Sequence, residues 1–200
     1  MELKTVFAII ATIIGVGCFI PYIADTFKRK TQPHIYTWLI WTLLQATGVI
    51  AMYKGGAGIG VLALTIGTFF CGFTCVISIK YGTKNISTFD TICLIGALAS
   101  MCIYFFMHQP LLSVILISAI DFMGFLPTLR KAYYEPYTET LSMFAFFMIS
   151  GIFSVLALST YTVITAFYPL TLVFINVIAT VVIWARRRTG PPISFQREDL

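Results

Sequence analysis

Seven apolar stretches, each close to the ~20 residues that cross a bilayer core, occupy almost the whole chain and leave short polar turns between them. They run roughly Val6–Thr26, His34–Met52, Gly58–Ser78, Phe89–Met107, Leu111–Lys131, Leu141–Ser159 and Thr162–Ala185. A chain that is 58% apolar and 10% charged over 200 residues is not an ordinary soluble domain. In lipid the backbone has to satisfy its own hydrogen bonds, and apolar runs of this length do so as helices. The expectation is an all-α integral membrane protein with seven transmembrane helices. The first stretch continues through Pro21 into Asp25 and Lys28-Arg29-Lys30 without a small-residue cleavage site, so it reads as a span and not as a signal peptide.

The basic residues orient these spans. With the first residue outside, the outer segments 1–5, 53–56, 108–110 and 160–161 hold Lys4 and Lys54 alone, and the other eleven of the 13 fall on the opposite side. Lys and Arg are retained on the cytoplasmic side, which puts the N-terminus out and the C-terminus in. The net charge of +5 is then spread over short cytoplasmic loops and the tail 189–200, so no nucleic-acid partner is implied. Arg186-Arg187-Arg188 reads as a stop-transfer anchor at the lipid surface. All five cysteines lie within spans, as small apolar filler and not a disulfide framework. Cys71 and Cys75 share a helix face, but no His or acidic residue accompanies them, so neither a metal nor another cofactor is expected. The sequon Asn85-Ile86-Ser87 falls on the cytoplasmic side, where it would stay unmodified.

An internal repeat of long period divides the chain. Phe19-Ile20-Pro21-Tyr22-Ile23 corresponds to Phe125-Leu126-Pro127-Thr128-Leu129, and both runs end in basic residues. Further on, Pro33, Thr37 and Gly48 correspond to Pro136, Thr140 and Gly151, with a turn three residues shorter in the second copy. The expected organisation is a three-helix repeat over 1–84, a linker helix over 85–108, a second three-helix repeat over 109–188 and a cytoplasmic tail. Three spans plus one linker return the chain to its starting side, so the repeats run parallel, in a 3+1+3 order.

A helix ending in a proline dipeptide, a basic cytoplasmic turn and a polar lead into the next helix, given twice around a linker, resembles the PQ-loop and SWEET-like superfamily of seven-span membrane proteins. Pro21-Tyr22 and Pro127-Thr128 stand where that family's signature is Pro-Gln. The stretches Pro21–Thr26, Thr31–His34 and Trp38–Trp41, with Asp121 and Pro127–Lys131, are similar to a group of uncharacterised bacterial members. The resemblance implies a bacterial plasma membrane and alternating-access movement of a small solute such as a sugar or amino acid, with some members acting as trafficking receptors. In SWEET-like relatives an Asn on the seventh span contacts the sugar, and Asn176 matches that position. Its counterpart in span three falls among Phe70 to Thr74, which contain no Asn.

Polar residues at mid-membrane mark the candidate site. Counting ~1.5 Å per residue from Arg130 puts Asp121 ~13 Å deep, near the centre of a ~30 Å core. A carboxylate there has to be protonated, paired or facing a polar cavity, and a purely structural hydrogen bond is the alternative to a functional role. Asn176 and Gln45 lie ~15 Å deep by the same count, with Ser150 at a similar level on span six. Together these four read as the lining of one solute pocket, with interhelical bonding as the alternative for Gln45 and Ser150. Pro21 and Pro127 would free the carbonyls of Gly17 and Met123, and read either as paired hinges or as static kinks. Asp25, beside Lys28 and Arg29, reads as an interfacial ion pair or cytoplasmic gate, and Glu135 and Glu139 as partners of Arg130 or Lys131. Trp38, Trp41 and Trp184 read as interfacial belt anchors, or as a gate ring.

Two functions fit. One is a small-solute transporter, either a uniporter or one coupled to protons through Asp121. The other is a receptor or sensor that binds its ligand between the repeats without moving it. An enzyme is not expected, because no Ser/His pair, zinc motif or paired carboxylates occur within the spans, and His34 and His108 lie at opposite interfaces. Oligomeric state is not encoded in any recognisable feature.

Overall fold

The computed structural model describes residues 2–29, 33, 35–82, 88–134, 136 and 141–189, apart from the side chains of Glu2, Phe89, Asp90, Pro127, Arg130 and Lys131. The turn residues 30–32 and 137–140, His34, Asn85-Ile86-Ser87, Glu135 and the tail from 190 lie outside the described residues. The described residues form helices and no strand. In chain order these are α1 (Glu2–Phe27), α2 (Ile35–Lys54), a short 3-10 turn (Gly58–Val61), α3 (Leu62–Tyr81), α4 (Thr88–Phe106), α5 (Pro110–Tyr134), α6 (Leu141–Leu156) and α7 (Val163–Arg188).

Four segments among the described residues, α1, α2, the 3-10 turn with α3, and α7, are long and apolar enough to cross a membrane. The apolar parts of α4, α5 and α6 are shorter, at Thr91–Phe106, Pro110–Leu126 and Leu141–Leu156. Large apolar side chains including Ile13, Phe69, Val76, Ile95 and Phe174 stand exposed around the bundle. A water-soluble monomer keeps such apolar patches small, so the surface is compatible with a membrane protein.

The helix ends follow local chemistry. Pro110 opens α5, where its missing N–H costs nothing. Thr162 and Thr165 close a reciprocal capping box at the start of α7, with Thr162 N–H donating to Thr165 Oγ1 at 2.9 Å and Thr165 N–H to Thr162 Oγ1 at 3.3 Å. Span six ends at Leu156 and not at Ser159, because Ser159 N–H leaves the helical path to donate to the Ala57 carbonyl at 2.9 Å. Gly58, at φ +61, gives the 3-10 turn the left-handed entry that a side chain would strain. Pro21 does not interrupt α1, which continues to Phe27.

The packing order is the same at both ends of the chain. α3 lies between α1 and α2, and α7 lies between α5 and α6, while the backbones of α1 and α2, and of α5 and α6, stay apart. α1 packs on α6, α2 on α5 and α7, and α4 sits outside against α2 and α5. Tyr168 of α7 fills the centre with Leu44 and Ile117, and the approach of α2 to α7 is possible because residue 48 is Gly. A Cβ there would come within 2.6 Å of the Tyr168 ring.

Lys4 Nζ donates to the Leu158 carbonyl at 2.8 Å, so the start of α1 and the end of α6 share one end of the bundle. Lys54 lies there too, over the Tyr104 ring at the close of α4. At the other end Arg29 covers Tyr81, and Arg186 and Arg187 reach the carbonyls of Tyr133 and Pro136.

Candidate functional site

Six helices line a partly open cavity of about 170 Å³, and α4 contributes nothing to its wall. A single water needs ~10–15 Å³ by comparable measure, so the space suits a small metabolite. The lining on each helix follows a single face. α2 contributes Trp38, Trp41 and Gln45, α3 contributes Leu64, Gly67 and Cys71, and α7 contributes Pro169, Leu172 and Asn176. These i, i+3, i+4 and i+7 spacings are what one side of a helix presents.

Gln45, Asp121, Ser150 and Asn176 all line this cavity. They differ in what they hold. Ser150, from α6, donates its hydroxyl to the Ala11 carbonyl of α1 at 2.7 Å. That close contact uses Gly15, whose Cβ, if present, would sit 3.1 Å from the Ser150 Oγ. Ser150 therefore bonds helix to helix as well as facing the cavity. Gln45 Nε2 contacts Cys71 Sγ at 3.4 Å, tying α2 to α3. Asn176 Nδ2 donates to the Leu172 carbonyl of its own helix at 2.8 Å. Asp121 is 6% exposed, and its carboxyl faces the Trp41 indole N–H as hydrogen-bond donor.

The other candidates lie elsewhere. Asp25 is half-buried near the end of α1, outside the cavity wall, and pairs with neither Lys28 nor Arg29, both of which are exposed. Pro21 sits on the exposed face of α1. Position 127 falls within α5, its side chain outside the described residues. Among the described residues no three His, Cys, Asp or Glu side chains converge.

Two belt assignments need correction. Trp38 is 6% exposed and Trp41 half-buried, and both turn into the cavity and away from the surface. Trp38 donates to Tyr22 Oη at 3.3 Å and meets Trp41 edge-on at 5.3 Å between ring centroids. Trp184 alone of the three stands exposed, with Arg188 4.0 Å above its ring. Helical spacing carries the signal for this inward turn, since Trp38, Trp41 and Gln45 lie on one face. Phe147, three residues before Ser150, was legible on the same ground. Phe19 completes the aromatic wall, 5.7 Å from Phe147 and 6.1 Å from Trp38 between centroids.

Behind the wall, next to Pro169, the fully buried Tyr168 hydroxyl has no hydrogen-bond partner among the described residues. No periodicity argument singles it out, because a Tyr on an apolar face looks like any other core residue. Comparison of the chain with known protein families, curated proteins and solved structures finds no match.

Proposed function

We propose that this protein is a membrane transporter for a small solute such as a sugar, amino acid or related metabolite. In this reading seven helices span the bilayer as two parallel three-helix repeats, 1–84 and 109–188, about the linker helix 85–108. The N-terminus is outside, and the membrane is a bacterial plasma membrane. The observation that carries the reading is the single cavity that gathers Gln45, Asp121, Ser150 and Asn176 from helices of both halves. A site between repeats is where rocking of one repeat against the other exposes a solute to each side in turn. The repeated packing order, with the third helix of each set between the first two, supports two equivalent units. So does the resemblance to PQ-loop and SWEET-like proteins in the sequence. α4, outside the cavity wall, suits a linker.

Asp121 is the proton-coupling residue of this reading, because a carboxyl at mid-membrane can carry one proton across with the moving site. The test is uptake into proteoliposomes holding the purified protein, with and without a pH gradient. Wild-type protein should concentrate its solute under the gradient, and Asp121→Asn should lose that dependence while keeping solute exchange. Saturable binding without uptake would replace the transporter with a receptor. Gradient dependence retained in Asp121→Asn would remove the coupling role.

A further inference from the structure

The balance of donors and acceptors on the cavity wall narrows the solute. Single-donor groups there are already engaged: the Ser150 hydroxyl on the Ala11 carbonyl, the Ser154 hydroxyl on the Gly60 carbonyl at 2.9 Å, and the Trp38 indole on Tyr22. The Trp41 indole faces Asp121. Gln45 and Asn176 each direct an amide N–H at the protein, towards Cys71 and Leu172. Their side-chain oxygens, the Asp121 carboxyl and one further N–H on each amide are left, so acceptor positions outnumber donors on the wall. A ligand that satisfies such a wall has to bring donors.

Charge points the same way. Among the described residues Asp121 is the one charged side chain on the wall, and no Lys, Arg or His lines it. The described cations stand at the helix ends, as at Lys4, Lys54, Arg29 and Arg186. An anionic solute would meet a carboxylate without a countercharge, at high cost in a low-dielectric site. The rings of Trp38, Trp41, Phe19 and Phe147 form the adjoining wall, and aromatic faces attract ammonium groups electrostatically. An acceptor set, one carboxylate and an aromatic wall have a common complement.

We infer that the cavity binds a protonated organic amine, its N–H groups directed at Asp121 and the amide oxygens of Gln45 and Asn176, and its carbon body against the aromatic rings. The inference rests on the cavity being the solute site. Binding is read as thermal stabilisation of the full-length protein in detergent. The probes are straight-chain primary alkylamines of increasing length and phenethylamine, each paired with the alcohol of the same skeleton, together with glucose and the matching carboxylates. At least one amine should stabilise saturably, at least ten-fold more tightly than its alcohol. Asp121→Asn should weaken that amine ten-fold or more, and Trp41→Leu and Phe147→Leu, which keep Asp121, should each weaken it several-fold.

Alcohols, sugars or carboxylates binding as well as every amine would overturn the amine assignment and leave the solute-site reading in place. So would unaltered amine affinity in a folded Asp121→Asn protein, or the absence of stabilisation by any amine. An amine that binds with this specificity but does not exchange across proteoliposomes upholds the site and removes only the transport reading.

Discussion

Tyr168 shows how much one side chain can organise without a polar partner. Its ring fills the centre of the core beside Leu44 and Ile117, while its hydroxyl is buried with no hydrogen bond among the described residues. A buried hydroxyl of this kind lowers stability by the cost of its lost hydration. Tyr168→Phe keeps the ring and removes the orphan, so it should leave stability unchanged or raise it by on the order of 1 kcal/mol, read as an unchanged or higher melting temperature. A clear drop would mean that the hydroxyl is bonded in the working protein. Gly48 is the other half of this contact, with its absent Cβ placed 2.6 Å and 2.8 Å from two Tyr168 ring carbons. Gly48→Ala should therefore destabilise by about 1–3 kcal/mol, as overpacking of a rigid core does. Adding Tyr168→Leu should recover part of that loss beyond its own effect, whereas Tyr168→Phe should contribute only the change it gives alone, and the coupling energies of the two double-mutant cycles separate a steric cause from a polar one.

The helices themselves were legible because apolar length is a strong signal, and seven predicted stretches correspond to α1–α7 within a few residues. The departures have local causes. Ser159 bonds across to Ala57 and leaves the helix early, and Gly58 begins a 3-10 turn before α3. The depth count along each helix placed Gln45, Asp121, Ser150 and Asn176 at one level, and the structure has all four on one cavity wall. Depth says nothing of azimuth, so Trp38 and Trp41 read as surface anchors until helix packing turned them inward. Donor engagement was equally hidden, since the Ser150 contact joins residues 139 apart in sequence. The prolines carry the prediction at this scale. Pro21 lies in an unbroken α1 on its exposed face, where it cannot donate to the carbonyl four residues back. If it hinges α1 in concert with Pro127 on α5, Pro21→Ala with Pro127→Ala should stiffen both helices. Cys71, retained as the sole cysteine, would then react more slowly with a maleimide in the presence of solute, while its labelling in denaturant stays the same. An unaltered rate would leave both prolines as fixed kinks.

Across the whole molecule, charge and packing divide the bundle in the same way. Lys4 and Lys54 sit with the Leu158–Ser159 turn and Tyr104 at one end, and Arg29, Arg186 and Arg187 with Tyr81, Tyr133 and Pro136 at the other. Lys4 is held by two backbone carbonyls, Leu158 and Ser159. Arg186 and Arg187 likewise donate to backbone carbonyls, of Tyr133 and Pro136, and with Arg188 they form a run of three cations at the close of α7, matched in the sequence by Lys28-Arg29-Lys30. In the proposed seven-span topology this arginine cluster lies on the cytoplasmic side. In a cysteine-free background, Tyr53→Cys on the sparse end should react with a membrane-impermeant maleimide in intact cells, and Lys80→Cys should react only after permeabilisation. Both positions are exposed, so neither result is confounded by burial. The reverse pattern would invert the orientation and with it the side from which a solute first reaches Asp121, and labelling of both in intact cells would break the seven-span reading altogether.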